Sequence, residues 1–243
     1  MLSKSQIKII TSLKQKKYRN KYGLFVVEGK KSVLEFLNST QTKFELADLF
    51  YTEEFSELNI NNSFKISELE LKKISFLKTP NQVLAVFKIS KDLKPIIENG
   101  LVLALDNIKD PGNLGTIIRL CDWFGVSQLV CSLETVDCYN EKVIQASMGS
   151  LTRVSIVYTD LSQYLENSKL PIFATVMSGK NIYQEKLPKN AVLVMGNEAN
   201  GISENSLQRT QNKISIPKFG ELQQTESLNV ATATAIFLSE FRR

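Results

Sequence analysis

Two short apolar runs near the C-terminus, Ala191–Met195 (AVLVM) and Ile214–Ile216 (ISI), constrain the fold more than any other part of the chain. Both are too short for helices, and they read as buried strands. GNEANGIS follows the first run and PKFG the second, each a Gly-containing loop that leads toward residues with helical spacing. Strands alternating with helices predict an α/β fold: a mostly parallel sheet with helices on both faces and a site at the strand ends. Gly196 directly follows a strand, and a residue without Cβ lets a ligand approach the backbone. In the final helix Val230, Ala231, Thr234, Ala235 and Leu238 follow helical spacing, with Thr225 and Ser227 placed to cap it. Ser227 and Asn229 then fall where unpaired N–H groups and the positive end of the helix dipole meet an electron-rich ligand.

The same grammar recurs upstream. Leu101–Leu105 reads as a buried strand, Asp110-Pro111-Gly112 as a turn, and the next residues as a helix with Leu114, Ile117, Ile118, Cys121 and Phe124 on its core face. Further strands are predicted near Leu129–Cys131 and Pro171–Val176, the latter beside Ala191–Met195, with a helix near Glu141–Met148 between them. SMGSLTRV then either offers backbone N–H groups and Arg153 to a phosphate or ends a helix against the next strand. Towards the N-terminus, Ser3 to about Tyr18 reads as one basic helix. Strands at Leu24–Val27, Phe44–Tyr51 and Val83–Phe87, with helical patterns between them, complete a small α/β unit. Ile89–Gly100, with Pro95 and Gly100, reads as a linker, so the division falls near residue 95: 1–95 and 96–243.

Charge is concentrated at the beginning of the chain. Up to Lys31 there are nine basic residues and one acid, Glu28, an excess larger than the whole-chain net charge of +5. Lys16, Lys17, Arg19 and Lys21 suit RNA phosphates, and Tyr18 and Tyr22 among them can stack on bases or border the core. The chain has no histidine, which removes Ser-His and Cys-His nucleophile pairs and the commonest zinc ligand. Its three cysteines lack metal-ligand spacing and are expected to be free thiols, with no metal bound. No apolar stretch has the length of a signal peptide or a membrane span, so a cytoplasmic protein without a membrane partner is expected.

Three segments carry a resemblance. DNIKDPGNLGTIIRLCDWFG, GNEANGIS and SIPKFG with ESLNVA, in that order, resemble the three signature motifs of the SpoU/TrmH family of RNA ribose 2′-O-methyltransferases. KQKKYRNKYGLFVVEGKKSVLEFL resembles the substrate-binding domain that often precedes the catalytic domain in that family. The resemblance implies a deep trefoil knot in the C-terminal part, S-adenosyl-L-methionine as cofactor, a homodimer, and an RNA substrate, ribosomal in preference to transfer RNA. It further implies that the backbones of Gly196, Ile216 and Leu228 hold the cofactor. Asn113, Arg119, Glu198, Ser227 and Asn229 match the motifs' catalytic positions.

By that resemblance Arg119 is the base. A guanidinium is a poor proton acceptor, and binding a phosphate beside the target ribose or steadying an alkoxide suits it better. Asn113 is expected to position Arg119 or the substrate, and Glu198 to pair with Arg119, order the cofactor loop or serve as a helix-entry acid. The sequence departs from the family after Ile216, where PKFGELQQT replaces the methionine and shorter path of many members. Other readings are weaker. There is no GxGxxG turn after a strand for a nicotinamide enzyme and no GxxxxGK[ST] for a nucleotide hydrolase. A non-catalytic RNA-binding or ribosome-assembly factor on the same fold would have no evident need for all five motif residues.

Overall fold

The structure is a computed structural model that describes residues 2–40, 44–52, 60–90, 96–97, 99–222, 224 and 226–243. The expected division at residue 95 and the expected cap Thr225 lie outside these residues. The chain forms two compact units, one of residues 1–92 with 137–153 and one of 93–136 with 154–243.

The first unit contains a four-stranded sheet in the order β1-β4-β2-β3, built from β1 (Leu24–Glu28), β2 (Leu46–Tyr51), β3 (Ser63–Lys65) and β4 (Val83–Lys88). β4 runs antiparallel to both β1 and β2, and β3 pairs parallel with β2. One side of β1 and β4 buries Phe25 and Phe87, which meet Phe36 of α3 (Lys30–Leu37) in an aromatic cluster. On the other side Val26, Phe50, Leu84 and Val86 pack with Ile10, Leu13, Leu71 and Ile74. Leu71 and Ile74 belong to α4 (Glu68–Ile74), which opens on a capping box between Ser67 and Glu70.

The expected helix from Ser3 to Tyr18 is two helices, α1 (Lys4–Ser12) and α2 (Lys16–Tyr22). No glycine or proline separates them. The break arises because Nη1 of Arg19 takes the carbonyls of Leu13 and Lys14, at 2.8 and 3.0 Å. Arg19 is 2 % exposed, and its Nε and Nη2 donate to Oδ2 of Asp137 at 2.8 and 2.6 Å.

Asp137 introduces the segment 137–153, which the sequence assigns to the second domain and which packs with the first unit instead. Tyr139 lies 4.6 Å from the Phe25 ring, and Arg153 pairs with Glu35 at 2.5 Å. Between them α6 (Glu141–Ser147) starts on Asn140 and ends at Met148 in the left-handed region. At Gly149, with φ +90°, a Cβ would lie 2.8 Å from Glu35 side-chain atoms. SMGSLTRV is therefore a glycine-dependent helix end, with Arg153 turned to a carboxylate.

The second unit holds a six-stranded sheet in the order β10-β8-β9-β5-β6-β7, parallel at every pairing. Its strands are β5 (Leu101–Leu105), β6 (Gln128–Ser132), β7 (Ile156–Thr159), β8 (Ile172–Asn181), β9 (Ala191–Met195) and β10 (Asn212–Ser215). β5 and β9 are buried along their whole length. Val102, Ala104, Val192 and Val194 face Leu161 and Leu165 of α7 (Leu161–Asn167). On the opposite face Phe173 of β8 meets Phe241 of α9 (Val230–Arg242) edge-on at 5.4 Å. α5 (Pro111–Trp123) buries Leu114, Gly115, Ile117, Ile118 and Cys121, and α8 (Glu204–Leu207) is a single short turn. The expected parallel α/β sheet with helices on both faces is the architecture found. Because the strands are parallel, the loops after β5, β9 and β10 leave the same edge of the sheet.

Burial pushes the Cys121 thiol well up, so it stays protonated and unreactive. Among the described residues no cluster of metal-ligating side chains occurs, and no helix is long and apolar enough to cross a membrane.

Candidate active site

The three motifs meet at this edge. Asp110 ends the loop after β5 and caps α5, its carboxylate accepting from the Asn113 backbone N–H at 2.8 Å, with Pro111 in the first turn. That fixes Asn113 on the first turn of α5. Its Nδ2 donates to Oε1 of Glu198 in the loop after β9, and its Oδ1 accepts from Nδ2 of Asn229 at 2.9 Å. Oδ1 of Asn229 in turn accepts from the backbone N–H groups of Ala231 and Thr232, at 3.0 and 3.2 Å, and so caps α9. One residue from each motif is thus joined in a single chain of side-chain hydrogen bonds.

Several expectations change here. Glu198 pairs with Asn113, and Arg119 pairs with neither of them. Six residues separate Asn113 from Arg119, about a third of a turn off in direction and about 9 Å along the helix. Arg119 is exposed and makes no hydrogen bond or ion pair with the described residues. It lies on an outward stripe with Thr116 and Trp123, the latter 84 % exposed. The cap of α9 is Asn229, and Ser227 lies before the helix, exposed and without a hydrogen-bond partner among the described residues.

Gly196 is also required by its own loop. A Cβ there would lie 2.3 Å from the Gly201 carbonyl carbon and the Ile202 nitrogen, because the loop doubles back through paired bonds between Asn197 and Gly201. Backbone atoms cannot rotate aside. Gly196→Ala is expected to introduce about 1–3 kcal/mol of strain and to break the Asn113–Glu198 contact. Cofactor affinity should fall about ten-fold or more, as titration calorimetry would read; wild-type affinity would mean that the loop absorbs the methyl group.

Sequence reasoning missed the groups that hold this loop. Asp106, 6 % exposed at the end of β5, accepts from the backbone N–H and Oγ of Ser203, at 2.9 and 2.6 Å. Asn197 donates from Nδ2 to the Asn107 carbonyl and accepts at Oδ1 from the N–H groups of Ala199 and Asn200. The Asn after Gly196 is a turn signal that could have pointed to it. Nothing in the sequence pairs Asp106 with Ser203.

Of the candidate cofactor positions, Gly196 and Ile216 are half-buried at the sheet edge, and Leu228 is 46 % exposed. Phe219 and Leu222, on the loop after β10, are each 82 % exposed. The candidate phosphate ligands lie in the first unit. Lys16, Lys17 and Lys21 are exposed on α2, whereas the guanidinium of Arg19 is buried and committed to Asp137, so Arg19 is withdrawn as an RNA ligand.

Comparison with known proteins adds two family matches. Residues 100–239 match the SpoU rRNA Methylase family, and residues 4–85 match the MRM3-like substrate binding domain. The chain is 30 % identical to the 23S rRNA (guanosine(2553)-2′-O)-methyltransferase RlmP of Bacillus subtilis, over 98 % of this chain and 96 % of that protein. Among solved structures, a TrmH-family protein from Porphyromonas gingivalis superposes with a TM-score of 0.90 at 35 % identity, covering 100 % of this chain and 98 % of that one. An AdoMet-bound rRNA methyltransferase from Sinorhizobium meliloti gives 0.85 at 28 % identity, covering 100 % and 96 %.

Proposed function

The chain belongs to the SpoU rRNA methylase family, and from that premise we propose that it methylates a ribose 2′-hydroxyl of ribosomal RNA, with S-adenosylmethionine as methyl donor. The observation that carries this reading is the hydrogen-bonded chain Asn229–Asn113–Glu198, which draws one residue from each motif to the sheet edge. A protein that only binds RNA has no evident need for it.

The residues at this edge fit the cofactor. Exposed Leu228, Phe219 and Leu222 give apolar surface for a flat heterocycle, and the backbones of Gly196, Ile216 and Leu228 give polar groups beside it. When bound, S-adenosylmethionine supplies a methyl group already activated on a sulfonium. What remains for the protein is orientation of the hydroxyl and stabilisation of its developing charge. Asn113 and Asn229 have both ends of their amides engaged, so they are positioning residues that lock the three loops together. Ser227 and Arg119 have uncommitted polar groups, and we assign them to the ribose and the adjoining phosphate. Residues 1–95, together with the segment 137–153, serve as the RNA substrate-binding unit, and the rest of 96–243 as the methyltransferase unit. The trefoil knot that the motif resemblance implies is part of the same reading.

A homodimer completes the proposal. Its support is Trp123 at the end of α5, the only tryptophan of the chain and 84 % exposed, an unusual placement for a side chain that buries about 150–250 Å² when packed. Trp123→Arg is expected to convert a dimer into a monomer in sedimentation at micromolar concentration, and the wild-type tryptophan emission should shift to the red on dilution. A wild-type protein that sediments as a monomer would refute the dimer.

The central test is transfer of labelled methyl from S-adenosylmethionine into unmodified ribosomal and transfer RNA, with mapping of the product. Incorporation at a ribose 2′-oxygen of ribosomal RNA supports the reading, and incorporation only into transfer RNA corrects the substrate. A chain that binds no cofactor is a non-catalytic factor.

A further inference from the structure

We propose that α2 is a reading surface for an unpaired RNA strand, on which a nucleobase stacks against Tyr22 while Lys17 and Lys21 hold the phosphates on either side. The proposal rests on the reading of the substrate as RNA and names the form in which that RNA is bound.

Tyr18 and Tyr22 are four residues apart and form one row on the helix, their rings nearly parallel at 14° with centroids 6.2 Å apart. Tyr22 is 40 % exposed, so the stack ends on an open aromatic side chain. Lys17 and Lys21 form a second row beside the first, with Nζ 4.8 Å from the Tyr18 centroid and 5.5 Å from that of Tyr22. The stack is not a core feature, since neither tyrosine hydroxyl has a hydrogen-bond partner among the described residues and α2 buries only Arg19.

That buried arginine makes the surface rigid. Its guanidinium, locked on Asp137 and on the carbonyls of Leu13 and Lys14, fixes the rotation of α2 and keeps both rows outward. The charge is suited to a polyanion. α2 contains no acid, and the carboxylate of Glu28, the nearest acid in sequence, is taken up by Ser75 Oγ and the Phe76 N–H.

A duplex hides the faces of its bases, whereas an unpaired strand can offer one to an aromatic ring. The lysines resting on the rings are on flexible stems and can swing to phosphates as a base arrives. Stacking and charge in two adjacent rows therefore favour a single strand over a duplex.

The test uses the full chain with a short unstructured fluorescein-labelled oligoribonucleotide, alone or annealed to its complement, titrated at several salt concentrations. Tyr22→Leu should weaken single-strand binding about ten-fold, with the salt slope and duplex binding unchanged, and Tyr22→Phe should restore it. Lys17→Gln with Lys21→Gln should reduce the slope of log K against log salt by about 1.4. Equal affinity of Tyr22→Leu and wild type, equal loss on single strand and duplex, or no single-strand binding by the wild type would overturn the proposal. Calorimetry with S-adenosylmethionine on the same proteins separates the two readings. Retained cofactor binding with no tyrosine effect removes the platform and leaves the enzyme.

Discussion

Arg119→Ala is expected to lower methyl transfer about a thousand-fold while leaving S-adenosylmethionine affinity and thermal stability essentially unchanged. The expectation follows from the isolation of this side chain. Arg119 is exposed on α5 and bonds to no described residue, so its removal breaks nothing in the fold. A cation without an internal partner, at a position matching a family motif, is available to the substrate. Arg119→Lys keeps the charge but loses the planar fork and should recover only a small part of the activity. RNA affinity measured on the same variants divides its two roles. A phosphate anchor loses affinity together with rate, whereas a group that steadies the alkoxide loses rate alone. A large fall in cofactor binding would contradict both.

The second large effect concerns stability. Arg19→Ala would leave the Asp137 carboxylate, 12 % exposed, without its cation, and the Leu13 and Lys14 carbonyls without their donor. Breaking a buried pair from one side costs about 3–5 kcal/mol, so the denaturation midpoint should fall sharply. Arg19→Lys cannot reach Asp137 and two carbonyls with the same geometry and should lie between the two. Lys16→Ala, on the exposed side of the same helix, should denature like the wild type. A wild-type midpoint for Arg19→Ala would show that the buried pair contributes nothing net.

The same residue shows what the sequence could and could not carry. Leu101–Leu105 and Ala191–Met195 are strands with the expected bounds, because a run that is apolar on both faces has few other places to go. The break between α1 and α2 has no local signal, since it depends on a side chain six residues away held by a carboxylate more than a hundred residues away. In the candidate site the motif residues were legible as a set and their pairing was not. Glu198 and Arg119 carry opposite charges and invite pairing on paper. The rotation of α5 turns Arg119 away and gives Glu198 the Asn113 amide instead. Gly196 was legible as special, and the close approach of its own returning loop is a second demand on it that only the fold reveals.

The excursion of residues 137–153 into the first unit bears on how this protein can be taken apart. A fragment ending near residue 95 lacks Asp137, Tyr139 and Arg153, and so carries an unpaired buried arginine and an uncovered phenylalanine cluster. The complementary fragment carries those groups with nothing to receive them. A protease that nicks the chain once near residue 95 should therefore yield two pieces that co-purify, and each expressed alone should be insoluble or unfolded until the other is supplied. Swapping the N-terminal part between relatives should succeed only when this short internal segment is exchanged with it.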